Sequence, residues 1–161
     1  MTHLTQQDWP LFQLLHKAPD VITLCFDEPT ESELQQKFQS RLQPWHKDAS
    51  HWLCLVIRLL DTGEAIGVTG LGIAEGRAEV GYLLLPAFYG QGFGTESLRA
   101  LIDWAANTQD VTRFKAVVTE GNIASERVLQ KAGFKLVEMV PDAHSISGKR
   151  YADHIYHFDA A

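Results

Sequence analysis

Two turns, each only two or three residues long, fix the middle of this chain. Asp61-Thr62-Gly63 joins an apolar run from His51 to Leu60 to a second from Ala65 to Ile73, and Glu75-Gly76 joins that run to a third from Ala78 to Leu85. Parallel neighbours need a crossover of about a dozen residues, so connections this short dictate an antiparallel meander. Upstream, Thr30-Glu31-Ser32-Glu33 is a capping box opening a helix with Leu34, Phe38 and Leu42 on one face and Pro44 beyond its end. An earlier helix starts near Asp8, with Pro10 in its first turn. Downstream, Leu98, Leu101, Ile102 and Ala105 stripe a helix over Thr95 to Asn107. A strand (Phe114 to Thr119), a helix (Ile123 to Ala132, stopped by Gly133) and strands over Phe134 to Val140 and Tyr151 to Phe158 follow. This order predicts an α+β layer arrangement around a mixed central sheet, with helices on both faces.

With 161 residues, 45% of them apolar, the chain holds one sizeable core, and 1–161 reads as a single domain. A net charge of −6 argues against a nucleic-acid partner, whose phosphates need clustered Lys and Arg. The apolar run near Trp52 to Leu60 is broken by Arg58 and is too short for a membrane span. Cys25 and Cys54 sit in no metal-ligand spacing, and no charged and apolar leader opens the chain, so a cytoplasmic protein is expected. The seven histidines show no metal pattern, and no metal is expected.

Between the meander and the Leu98 helix lies "YGQGFGTES", residues 89–97, with glycine at 90, 92 and 94. The start of a helix offers unpaired N–H groups and a positive dipole end, and glycines let the main chain curl around a phosphate without a Cβ clash. A Walker loop would need Lys and then Ser or Thr where Thr95 and Glu96 follow Gly94. A dinucleotide fingerprint is partly mimicked by Gly92-Phe93-Gly94 with Ser97, but it belongs after the first strand of a parallel sheet. A plain flexible helix entry is the structural alternative.

Three segments, "AEVGYLLLPAFYGQGFGTESL" (78–98), "GNIASERVLQKAGF" (121–134) and "GKRYADHIYHF" (148–158), resemble in order and spacing the GNAT superfamily of acyl-CoA-dependent N-acetyltransferases. Within it they are most similar to the group that acetylates N-termini of ribosomal proteins. The resemblance covers residues from about 51 to 158. It implies the GNAT fold, acetyl-CoA as cosubstrate, a strand that carries the pantetheine arm on its backbone at Leu83 and Leu84, and a pyrophosphate cradle made by Tyr89, Gly90, Gln91, Gly92, Phe93 and Gly94, with Thr95 next to it. The family usually has Arg or Gln where this chain has Tyr89. The resemblance also implies a strand bulge near Leu83 whose N–H meets the oxyanion, contact of Asn122 with the cofactor arm, and Ser125 near the leaving sulfur. Many members carry a tyrosine acid where this chain has Leu129, and that departure leaves Ser125 as the candidate donor.

Attack on a thioester needs a neutral amine, and near pH 7 roughly a tenth of an α-amino group but under a thousandth of a lysine is neutral. A base is therefore useful, and Glu79 resembles the strand glutamate of histone-acetylating relatives. Glu120, at a strand end, is a weaker candidate. Each has a structural alternative: Glu79 as a solvated residue at a strand start, and Asn122 as a helix N-cap with Ser125 at N3. The stripe of Ser125, Val128, Leu129 and Ala132 nevertheless turns the Ser125 hydroxyl toward the apolar side. The expected acceptor is a primary amine, either a peptide N-terminus or a small molecule, flanked by the segments around Asp27 to Trp45 and 141–150. A monomer or homodimer is expected, with any first strand short and confined to Met1 to Thr5. A non-catalytic acyl-CoA-binding sensor of the same fold is the alternative.

Overall fold

The computed structural model describes residues 1–160. Its strands are β1 (Thr2–His3), β2 (Leu53–Arg58), β3 (Ala65–Ala74), β4 (Arg77–Leu84), β5 (Arg113–Thr119), β6 (Lys135–Ile146) and β7 (Lys149–Asp159). Its helices are α1 (Trp9–Lys17), α2 (Pro19–Ile22), α3 (Glu31–Leu42), α4 (Phe93–Gln109) and α5 (Ile123–Lys131). The strands form a seven-stranded sheet in the order β1-β2-β3-β4-β5-β7-β6. The expected meander is β2, β3 and β4, all antiparallel, and β1 is the short edge strand.

Two cores lie on opposite faces of this sheet, because alternate residues of each strand point to opposite sides. Val80, Phe114, Ala116 and Val118 pack under Leu98, Leu101 and Ile102 of α4 and Leu129 of α5. Cys54, Val56 and Val68 pack under Phe12 and Leu15 of α1 and Leu34 and Phe38 of α3. The α3 capping box forms as expected: Thr30 Oγ1 accepts from the Glu33 N–H, and Glu33 accepts from the Thr30 N–H.

Three expectations are corrected, and one short element has no counterpart among them. The α4 helix starts at Phe93 rather than Thr95, because Gly92 takes a left-handed φ of 84° and serves as its N-cap. The segment 141–150 is a hairpin rather than a loop: β6 runs on to Ile146, and Ser147 and Gly148, at φ of 51° and 79°, turn it into β7. No bulge interrupts β4 against β3, where the register holds unbroken from Gly67↔Leu84 to Ala74↔Arg77. The short helix α2 went unseen, since Pro19-Asp20-Val21-Ile22 is too brief for periodicity.

His16 of α1 is 2% exposed, stacks on Phe12 and donates from Nδ1 to the Phe12 carbonyl at 2.7 Å. Burial lowers its pKa from 6.5 to about 4; the bond to Phe12 opposes this, while Lys37 and Arg41 reinforce it. The unfolded chain therefore binds this proton more readily, and the stability contributed by neutral His16 is lost as pH falls from 6.5 toward 4. Urea unfolding across that window should show an acid-side loss of about 3 kcal/mol that is absent in His16→Gln. Equal slopes in the two proteins would contradict this.

Candidate active site

The parallel neighbours β4 and β5 are paired only at Ala78↔Phe114 and Glu79↔Lys115. Beyond Glu79 they part, and a cavity of about 270 Å³ occupies the wedge. Glu79 to Leu83 form one wall, Ala116 to Thr119 the other, and α5 closes one end with Asn122, Ser125 and Leu129. The wedge thus brings together Glu79, Leu83, Asn122 and Ser125, four of the residues expected from sequence. Leu84 is not among them: its side chain is buried with Ile57 and Ile66.

The orientation of α5 follows from one buried cluster. Glu126 accepts hydrogen bonds from Tyr156 Oη at 2.8 Å and from His154 Nδ1 at 2.6 Å, which pins the helix to β7. Burial and the adjacent carboxylate push the Tyr156 phenol up to about 12, so it remains a donor. Asn122 caps the helix, its Oδ1 accepting from the Ser125 N–H at 3.3 Å, as its structural alternative predicts, and its amide NH₂ stays free to donate. The Ser125 hydroxyl faces Tyr82 Oη at 3.4 Å, and burial raises the Tyr82 pKa.

The glycine segment lies outside the cavity at the start of α4. The N–H of Tyr89 is spent on the carbonyl of Pro86 at 3.1 Å, closing the 3-10 turn Pro86–Phe88. The N–H groups of Gly90, Gln91, Gly92, Phe93, Gly94 and Thr95 meet no acceptor among the described residues. The run of free N–H groups thus spans 90–95, whereas the cradle expected from sequence spans 89–94. Gln91 bonds back to the Ala87 carbonyl at 3.0 Å, and Phe93 packs on Phe88. Gly94 is buried so closely that an added Cβ would lie 3.3 Å from Val128. Such a row of donors at a helix N-terminus suits an anion. Tyr89 itself is half-exposed and has no free main-chain donor.

Sequence reasoning missed three features of the cavity. Tyr82, opposite Ser125, was legible by alternation along β4 but was not singled out. Thr119 lines the cavity, with its Oγ1 3.1 Å from His144 Nε2, and His144 Nδ1 lies 2.7 Å from Asp153 Oδ1. With Nδ1–H donated to Asp153, Nε2 accepts the threonine proton, and the threonine oxygen can take a proton from the cavity. A register shift between Val140 and His144 aims His144 at these partners, and no local pattern announces it. Third, Trp52 lies against glycines: a Cβ at Gly72 would stand 2.3 Å from the Trp52 Nε1. Glu120 is exposed, lies outside the cavity lining and accepts from the Ala152 N–H at 3.0 Å. Arg99 bonds to the Lys131 carbonyl.

Among the described residues no helix is long and apolar enough to cross a membrane, and no group of three or more His, Cys, Asp or Glu side chains could hold a metal ion.

Residues 1–135 match the family model described as "Acetyltransferase (GNAT) domain". The Bacillus subtilis protein YkkB is 31% identical over 134 residues, covering 76% of this chain and 73% of that protein. The uncharacterized N-acetyltransferase YoaA of Bacillus subtilis is 31% identical over 99 residues, covering 60% of this chain and 56% of its own length. With 52% of the Bacillus licheniformis relative p20 matched, the chain spans about half the length of these first curated N-acetyltransferases. Among solved structures, RimL, a ribosomal-protein alpha-N acetyltransferase in complex with coenzyme A, superposes with a TM-score of 0.84 at 23% identity, covering 99% of this chain and 92% of that one. Spermidine N-acetyltransferase from Vibrio cholerae, in complex with CoA and spermine, gives 0.83 at 17% identity, covering 98% and 92%. At those identities the two structures share the fold with this chain.

The capping geometry of Asn122 carries its own test: Asn122→Ala should lower unfolding stability by about 1 kcal/mol, whereas Asn122→Asp, which keeps a capping oxygen, should not. Thermal or urea unfolding of both variants reads this directly.

Proposed function

The chain belongs to the GNAT acetyltransferase family, and from that premise we propose that it moves an acetyl group from acetyl-CoA to a primary amine by direct attack within a ternary complex. The observation that carries this reading is the row of six N–H groups at 90–95 that no acceptor in the described chain satisfies. A pyrophosphate supplies such acceptors at a helix N-terminus. The parted edges of β4 and β5 leave main-chain groups beyond Glu79 free for an extended arm, and Asn122 keeps its amide donors for the same arm.

Bound acetyl-CoA would supply the thioester; this chain's residues supply the proton handling. Glu79, in the cavity wall, takes a proton from the incoming ammonium, so that a neutral amine attacks the acetyl carbon. The Thr119–His144–Asp153 chain forms a second proton route in the opposite wall. The Ser125 hydroxyl, steadied by Tyr82, donates a hydrogen bond to the departing thiolate. That suffices, because a thiolate whose conjugate acid ionises near pKa ~8.5 leaves without full protonation. Peptide N-termini and small-molecule amines are both candidate acceptors, since RimL is a protein alpha-N acetyltransferase and the Vibrio cholerae enzyme a spermidine acetyltransferase, and each shares the fold.

Thermal shift with acetyl-CoA against NAD tests the cradle: stabilisation by acetyl-CoA is expected, and stabilisation by NAD alone would sink the proposal. Release of coenzyme thiol across a panel of amines and short peptides, including peptides beginning with Ala, Ser and Met, then separates an enzyme from an acyl-CoA sensor. Glu79→Gln should lower kcat/KM by about 10²-fold, and Ser125→Ala and His144→Gln by less. A larger loss in His144→Gln than in Glu79→Gln would move the base to the histidine wall.

A further inference from the structure

The cavity carries two cations that form no ion pair with a carboxylate among the described residues. Lys37 and Arg41 are one turn apart on α3 and flank the buried stripe of Leu34 and Phe38; both side chains are half-buried and line the cavity. Among the described residues, neither has a carboxylate oxygen within 4.0 Å. The arginines and the lysine that do have one are Arg58 with Asp8, Arg77 with Asp159, and Lys17 with Glu31. The two are held by ring faces instead. The Arg41 guanidinium is 5.5 Å from the Trp52 ring and 6.0 Å from Phe12, and the Lys37 ammonium is 5.5 Å from Phe26. Desolvation works against the charge on both, so their retention is costly to the free protein.

The groups around them do not compensate. His16 is held neutral by burial, and the Cys25 and Cys54 thiols are pushed up by burial, Cys54 to about 11. Glu33, one turn before Lys37, favours its charge but is engaged in the α3 cap and forms no ion pair with it, and desolvation outweighs its effect. Glu79 is the one carboxylate among the described lining residues, and it stands on β4 rather than on α3. The Trp52 indole rests on Gly72 and Gly81, of which Gly72 pairs with Glu79 across the β3–β4 ladder. In a chain with 20 acidic and 14 basic residues, the helical wall of this cavity is positive and the strand wall carries the acid.

We propose that Lys37 and Arg41 form the specificity subsite of the acceptor, and that the acceptor is a small primary amine carrying its own carboxylate or phosphate. The inference rests on the acyl-transfer reading of the same cavity. The anionic group docks on Lys37 and Arg41 beneath α3, with the Trp52 face as the floor, while the amine end lies toward Glu79. A polyamine would bring a second positive charge against two unpaired cations, which disfavours it.

The test uses amines matched except for charge: glycine, β-alanine and 4-aminobutyrate against butylamine and putrescine, and O-phosphoethanolamine against ethanolamine. The carboxylate and phosphate arms identify which anion is taken. An anionic member should exceed its neutral partner in kcat/KM by about 10- to 100-fold, and in Lys37→Met/Arg41→Met the two members of each pair should turn over at equal kcat/KM. Neutral or cationic amines, or peptides with a neutral first residue, turning over as well as the anionic ones would overturn the proposal.

Calorimetric titration of the same amines into the CoA-bound protein reads the subsite without turnover. If acetyl-CoA binds, no amine reacts, and an anionic amine still binds in a Lys37/Arg41-dependent way, the reaction fails and the subsite stands. If acetyl-CoA binds and no anionic amine does, the subsite fails. Unfolding supplies the control, because methionine keeps the apolar stem: removing cations kept for a ligand should hold or raise Tm, whereas a large fall would make them structural.

Discussion

The site depends on the two-residue pairing of β4 with β5. A buried strand must satisfy its N–H and C=O groups, and a sheet normally does so along both edges. Here β4 is fully laddered to β3 on one side, and on the other its ladder to β5 ends at Glu79. Where the strands part, the turn at Gly121-Asn122 and α5 follow the carboxyl end of β5, and β7 of the long β6–β7 hairpin pairs with β5 on its far side. The resulting wedge is lined by main-chain groups on its edges and by side chains from both faces of the sheet. One opening therefore reaches the helical wall of α1 and α3 and the hydroxyl pair of Tyr82 and Ser125.

That geometry explains why much of the fold could be read from the sequence and part of the site could not. The meander was legible because two short turns leave no other connection, and α4 and α5 because their apolar stripes repeat every three or four residues. The row of free donors was legible as glycines before a helix. Its register was not, since whether the amide at 89 or at 90 is the first free donor depends on the 3-10 turn at Pro86–Phe88. The bonds among Thr119, His144 and Asp153 join three strands and depend on an irregular register in β6. Local pattern carries no information about such pairs. The β6–β7 hairpin was hidden for a related reason: residues 141–150 are polar and do not alternate, so pairing with β7 rather than propensity makes them a strand.

The same contrast orders the charges. Arg58 and Arg77 are tied to Asp8 and Asp159 and hold distant parts of the chain together. Lys37 and Arg41 occupy positions of similar burial and are packed against aromatic rings. Cations in ion pairs and cations packed on aromatic rings thus occupy different places, even though all four are ordinary basic residues in the sequence.

Strand order adds a consequence for the way the molecule is made. The chain places β7 between β5 and β6, so a strand synthesised after both of them fills the place between them. Until residues 149–159 have emerged, β5 and β6 each expose an unpaired edge, and Asp153 and Tyr156 are missing from His144 and Glu126. The meander with α1 and α3 can collapse on the ribosome; the wall that carries α5 must wait. Through that interval the nascent chain presents two open strand edges, the kind of surface that recruits chaperones or pairs with a neighbouring chain.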